Sequence, residues 1–125
     1  MKKLLFENND VKIELENGII MTTWKISFAD LEMAHKAVAL RLKYCNSISY
    51  PLLSDIKLIK SSTKTARDFL ASKKGAEGVT AAAILIDSVI GSMMGNFFIR
   101  INKPIVPTKL FTDEKKAKMW LANYV

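Results

Sequence analysis

The chain has 125 residues, 50% of them hydrophobic and 25% charged, which is the size and balance of one ordinary globular domain and excludes a disordered or fibrous chain. Its one cysteine, Cys45, excludes an internal disulfide and suits a reducing compartment. Lys and Arg number 19 against 12 Asp and Glu, a formal charge of +7, and no apolar run approaches the roughly 20 residues that a membrane span requires.

The opening Met-Lys-Lys-Leu-Leu-Phe resembles a signal peptide for six residues, but Glu7, Asn8, Asn9 and Asp10 end the apolar run too early for one. A bacterial-type cytoplasmic protein is therefore expected. Lys2 to Phe6 reads as a short edge strand. Val11 to Glu16 alternates Val11, Ile13 and Leu15 with Lys12, Glu14 and Glu16, the period of a half-buried strand. Asn17-Gly18 follows as a hairpin turn, because both residues tolerate positive φ, and Ile19 to Trp24 is the returning strand.

From Ser27 to Cys45 the period becomes helical. Leu31, Ala34, Val38, Leu42 and Cys45 share one face, flanked by Ala37 and Arg41. Ser27 and Asp30 are both candidate N-caps. Tyr50 to Ile56 is a short apolar run read as a buried strand, with Pro51 tolerated near its start. A loop over Lys57–Ser62 leads to a short helix over Thr63–Ser72, capped by Ser62 or Thr63 and carrying Ala66, Phe69 and Leu70 as its apolar stripe.

Val79 to Ile86 has no charge, which fits a parallel strand covered on both faces. Ser88 to Ile101 reads as a helix whose apolar positions include Met93, Met94, Phe97 and Phe98. Lys109 to Phe111 is a last short strand. Thr112 is expected to cap a final helix whose first turn carries Asp113 and Glu114, where the helix dipole favours negative charge, and whose buried side is Ala117, Trp120, Leu121 and Tyr124. Strands alternating with helices imply right-handed crossovers. The expected fold is α/β: a mixed, mostly parallel central sheet with an N-terminal antiparallel hairpin and about four helices, in a single domain over 1–125.

That pattern resembles the STAS/SpoIIAA-like fold, the family of sulphate-transporter and anti-sigma-factor-antagonist domains, and in particular the small uncharacterised bacterial proteins of that fold. Two stretches carry the resemblance beyond topology. Tyr50-Pro-Leu-Leu-Ser-Asp55-Ile is similar to the family's third strand with its terminal Asp. Lys60-Ser61-Ser62-Thr63 stands where the antagonists carry Asp-Ser-Ser-Gly at the start of the next helix. The resemblance implies that Ser61 or Ser62 is a switch residue whose phosphorylation releases a protein partner. Lys60 stands in place of the antagonists' Asp and Thr63 in place of their Gly, so the charge beside the hydroxyl is reversed. A phosphate here would sit at a helix N-terminus beside Lys60, Lys64 and Arg67, and the same setting would suit a bound phosphate or carboxylate.

No residue set for catalysis emerges. His35 is the only histidine, so a zinc site lacks ligands, and no G-x-S-x-G elbow supports a triad. Cys45 has no C-x-x-C partner. Gly75 and Gly78 form G-x-x-G after Lys73-Lys74, without the element order of a KH domain. The basic run from Lys57 to Lys74 holds no interleaved aromatic platform, so nucleic acid is not an expected partner. No cofactor and no metal are expected.

Two functions remain. The first is a non-enzymatic interaction module, a homodimer that binds a protein partner under phospho-control at Ser61 or Ser62. The second is a carrier or sensor of a small anionic or lipid-like ligand. Its headgroup would meet Ser61, Ser62, Thr63, Lys64 and Arg67. Its apolar part, or a second subunit, would lie on Met93, Met94, Phe97 and Phe98, where adaptable Met and Phe side chains are common contact residues.

Overall fold

The computed structural model describes residues 2–87 and 105–125. Three antiparallel strands open the sheet: β1 (Lys3–Glu7), β2 (Val11–Glu16) and β3 (Ile19–Trp24). Asn17 and Gly18 both take positive φ, 52° and 78°, and Glu16 pairs directly with Ile19, as a two-residue type I′ turn requires. The chain then steps across the sheet in one direction. β5 (Tyr50–Asp55), β7 (Val79–Leu85) and β8 (Thr108–Phe111) each lie parallel to the strand before, in the order β1-β2-β3-β5-β7-β8. β7 is thus internal, as its uncharged sequence predicts.

Helix α1 (Leu31–Cys45) connects β3 to β5, and α2 (Lys64–Ala71) connects β5 to β7. Successive crossovers of one hand in one direction bring both helices to the same face. Helix α3 (Glu114–Leu121), followed by a 3-10 turn at Ala122–Tyr124, packs on the opposite face. Three α-helices stand among the described residues, against about four expected. The fourth expectation, the helix over 88–101 with Met93, Met94, Phe97 and Phe98, lies outside those residues.

Two boundaries depart from the sequence reading. Ser27 does not cap α1. Phe28–Ala29 forms a two-residue strand, β4, parallel to β6 (Ser61–Ser62), inside the stretch expected to be a plain loop. The Ser27 carbonyl accepts from Lys60 N (2.7 Å) and Ser61 N (3.2 Å), so it is committed to this small sheet. Helix α1 begins instead where Asp30 Oδ1 accepts from Met33 N at 2.9 Å, satisfying an otherwise unpaired first-turn amide. Likewise Asp113, not Thr112, caps α3 through Lys116 N. Thr63 caps α2, as expected, by accepting from Ala66 N at 3.1 Å.

The sheet's alternation sends its two sets of side chains into different environments. Ile19, Met21, Leu53, Ala83 and Leu85 pack against Ala117 and Leu121 of α3, with Phe111, Trp120 and Tyr124 around them. On the other face Val11, Ile13 and Ile20 pack with Cys45, and Trp24 with Ala29 and Ala37. Each fully buried large side chain, such as Ile13, Leu53 or Leu121, contributes about 1.5–3 kcal/mol of transfer free energy.

Candidate functional site

The helix-covered face that carries α1 and α2 is not filled to the same depth along its length. Two register rows cross the central strands: Ile20, Leu52, Ala82 and Thr108, then Thr22, Ser54, Ile84 and Leu110. Four of these eight side chains, Thr22, Ser54, Ala82 and Thr108, are short. Opposite them the helical layer also presents short residues, Ala37 of α1 and Ala71 of α2, followed by Gly75 and Ala76. Small residues facing small residues leave space that neither layer closes. A cavity of about 210 Å³ results, lined from Val79 at the start of β7 to Ile86 past its end.

Its wall is mostly apolar, with a few polar groups whose state is informative. Thr22 is 4% exposed, and its Oγ1 is buried without a hydrogen-bond partner among the described residues. Native structures rarely leave such a group unpaired, because its desolvation goes uncompensated. Trp24 Nε1 donates to Ser54 Oγ at 3.3 Å, beside it. Arg41 is also 4% exposed. Its Nη1 donates to the Glu77 carbonyl (2.7 Å) and its Nη2 to the Gly75 carbonyl (3.0 Å). Loss of solvent pushes the guanidinium below its ordinary pKa, an effect opposed by the Cys45 and Glu77 charges, and the group remains a cation. No carboxylate lies within ion-pair distance of it among the described residues. A buried charge satisfied by carbonyl dipoles alone is uncommon.

The residues singled out at the start of α2 are only partly brought together. Ser61 is exposed on β6 and Ser62 is half-buried beside it. Arg67 Nη1 donates to the Ser62 carbonyl (2.8 Å) and to Ser62 Oγ (3.2 Å), and both Ser62 and Arg67 line the cavity. Thr63 Oγ1 is occupied by its cap and by Thr65 Oγ1 at 3.1 Å. Lys64 turns away to Asp68, with Nζ 2.8 Å from Oδ2. The pair that reaches the interior is therefore Ser62 and Arg67. Arg41, Thr22 and Ser54 were not foreseen as site residues. The available signal was a polar residue at an inward-facing position of an otherwise apolar strand, twice over.

A family model matches residues 13–125, described as "Domain of unknown function (DUF7793)". The chain belongs to that family. No protein with a curated description matches this DUF7793 chain. Among solved structures it is similar to an uncharacterised protein of the DUF3478 family from Shewanella loihica PV-4, with a SpoIIAA-like fold. The TM-score is 0.64 at 17% identity, over 89% of this chain and 91% of the other. The fold of the DUF7793 domain is thus SpoIIAA-like. A protein of unknown function from Arthrobacter sp. FB24 is 27% identical over 88% of this chain and 97% of its own, but its TM-score of 0.31 is too low to inform the fold.

Four other residues noted in the sequence of this DUF7793 chain take structural roles. His35 is exposed on α1 and lies against Phe69 of α2, ring centroids 4.0 Å apart. Cys45 is buried, and burial raises its thiol pKa, with Arg41 pulling the other way. The G-x-x-G pair serves the turn into β7. A Cβ at Gly75 would overlap the Phe69 carbonyl, and Gly78 holds φ at +77°, a region that L side chains rarely adopt. No group of three or more metal-ligating side chains occurs among the described residues, and no helix there is long and apolar enough to cross a membrane.

Proposed function

We propose that this domain is a non-catalytic carrier or sensor that takes a small amphipathic, anionic ligand into the cavity between the sheet and α1 and α2. The observation that carries this reading is Thr22, a residue of the cavity wall whose hydroxyl is buried with no partner among the described residues. A cavity needed only for packing would be dry and apolar. This one combines apolar walls with a few convergent polar groups, the usual character of a small-molecule site.

The test is a heteronuclear NMR titration of the purified protein with hexanoate and with hexan-1-ol, joined to native mass spectrometry for retained ligand. Binding should shift the backbone amides of Thr22, Ser54 and Ala82 together. Ala82→Leu, which fills the cavity floor, should remove those shifts while the protein stays folded. If neither compound moves these amides and the fresh protein flies at its bare mass, the reading fails.

A second reading rests on a different observation. Ser61 is exposed two residues ahead of the α2 cap, with Arg67 already turned toward the adjoining Ser62. That placement supports phospho-control of a protein partner, since a phosphate there would meet a helix N-terminus and a guanidinium. Ser61→Asp should change the set of proteins captured by the domain while leaving its thermal stability unaltered. An identical set would remove this reading.

A further inference from the structure

The polar groups of the cavity fall at two levels along the strands. Arg41 is held by the carbonyls of Gly75 and Glu77, just ahead of β7. Gly78, next in the chain, accepts from Tyr50 N at 3.0 Å, so Arg41 is anchored at the level where β5 begins. Thr22 pairs in register with Ser54, four residues further along β5, and Trp24 lies beyond it. Ser62 and Arg67 belong to that second end, because Ser62 pairs with Ala29, which packs with Trp24. At roughly 3.3 Å per residue, the two levels are about 13 Å apart.

The space between them is apolar. Leu52, Ala82 and Ile84 supply the sheet side, Ala37 and Val38 the α1 side. The cavity therefore has a cation at each end, Arg41 and Arg67, a hydroxyl near the second that is unpaired among the described residues, and hydrocarbon between. Asp87 is the one acidic residue among its described lining residues, and it is exposed at the far end of β7 without an ion pair to either arginine.

Resting on the ligand-binding reading above, we infer that the ligand is a linear dicarboxylate, one carboxylate on Arg41 and the other received by Arg67 and the Thr22 hydroxyl. A carboxylate matches the guanidinium fork in plane and charge. Arg41 has five N–H donors and gives two to backbone carbonyls, which leaves donors for a ligand. Two carboxylates neutralise two arginines, whereas a monoacid would leave either a cation or the Thr22 hydroxyl against hydrocarbon. A cavity of about 150 Å³ holds benzene, so 210 Å³ admits on the order of eight to ten non-hydrogen atoms. A six-carbon diacid has ten.

The experiment is an NMR titration of the full chain with adipate, hexanoate and hexan-1-ol, which share a six-carbon backbone. Adipate should bind at least tenfold more tightly than hexanoate, and hexanoate more tightly than the alcohol. Arg41→Met and Arg67→Met should each reduce adipate to the affinity of hexanoate and leave the alcohol unchanged. Because Arg41 also ties down the turn before β7, Thr22→Val serves as a variant that keeps the fold, and it should weaken adipate severalfold. Equal affinity for adipate and hexanoate would overturn the dicarboxylate assignment while the cavity reading stood. Binding of none of the three would overturn both. An adipate preference that survives either arginine substitution would overturn the two-ended arrangement.

Discussion

Thr22→Val should make the unliganded protein more stable, which is the reverse of what most substitutions at a 4% exposed position do. In the unfolded chain the hydroxyl is hydrated. In the folded chain it is buried with no partner among the described residues, and an unsatisfied buried group of this kind costs about 1–3 kcal/mol. Valine removes that cost and keeps the β-branched shape that a strand favours. The new methyl takes the enclosed position that Oγ1 held, and its own contacts add a smaller gain. The net expectation is a stabilisation of about 1–2 kcal/mol, seen as a rise in melting temperature of roughly 3–8 °C for a domain of this size. Urea unfolding should show a higher midpoint at unchanged slope. Thr108 supplies the control. It lines the same cavity, but its Oγ1 donates to the Val106 carbonyl at 2.9 Å, so Thr108→Val should cost about 1 kcal/mol. Opposite signs for two threonines in one cavity follow only if Thr22 alone is unpaired. A destabilised Thr22→Val protein would refute the reasoning, because its hydroxyl would then have a partner in solution.

Gly78→Ala should destabilise by about 1 kcal/mol or more, since φ of +77° disfavours any Cβ. Gly75→Ala should cost more, because its Cβ would overlap backbone rather than a mobile side chain. Equal effects in chemical denaturation would count against that ordering. Lys118 Nζ lies 2.7 Å from Glu16 Oε1 and 2.9 Å from Glu114 Oε2. Hydrogen bonds from Lys118 hold both carboxyls below their ordinary pKa of 4.5, against the opposing effect of burial. Carboxyls with lowered folded-state pKa contribute stability that is present above pH 4.5 and lost as pH falls through the lowered values. Lys118→Met should therefore flatten the acid side of the stability profile. A wild-type slope there would show that the trio does not carry it.

Local chemistry made most of the sheet legible. The alternation of Val11 to Glu16, Asn17-Gly18 at a two-residue turn, and the uncharged Val79 to Ile86 each state a period or a conformation within a few residues. The pairing of Phe28–Ala29 with Ser61–Ser62 was not legible, because two-residue strands have no period and their partners lie thirty-three positions apart in sequence. The apolar stripe of α1 was legible only in part for a related reason: Ala34, Val38 and Cys45 are buried as expected. Leu31 and Leu42 are only half-buried whereas Ala37 and Arg41 are buried. The helix turns its small residues, not its largest apolar ones, to the sheet where Gly75 and Glu77 wait to receive a guanidinium. Hydropathy ranks arginine as a surface residue, and only the carbonyls brought in from the next loop reverse that. The cavity itself is a property of rows that cross four strands, and no single segment encodes a row.

The two faces of the sheet separate stability from binding, and this can be tested with one pair of substitutions. Leu53 and Ala82 sit on neighbouring strands, but Leu53 points to α3 and is 1% exposed, while Ala82 points to the cavity. Leu53→Ala deletes packed methyls and should cost about 2–5 kcal/mol. Its effect on adipate affinity should be under twofold at temperatures where the variant remains folded, because the side chain lies across the sheet from the ligand. Ala82→Leu adds volume, which in a packed core costs about 1–3 kcal/mol. Here the added atoms enter existing space, so stability should change by less than about 1 kcal/mol while adipate binding is lost. Denaturation midpoints and NMR titrations on the two variants read both quantities. If Ala82→Leu were strongly destabilising, the space beside it would already be occupied in solution. If Leu53→Ala removed binding from a folded protein, the sheet would transmit strain between its faces and the separation would not hold.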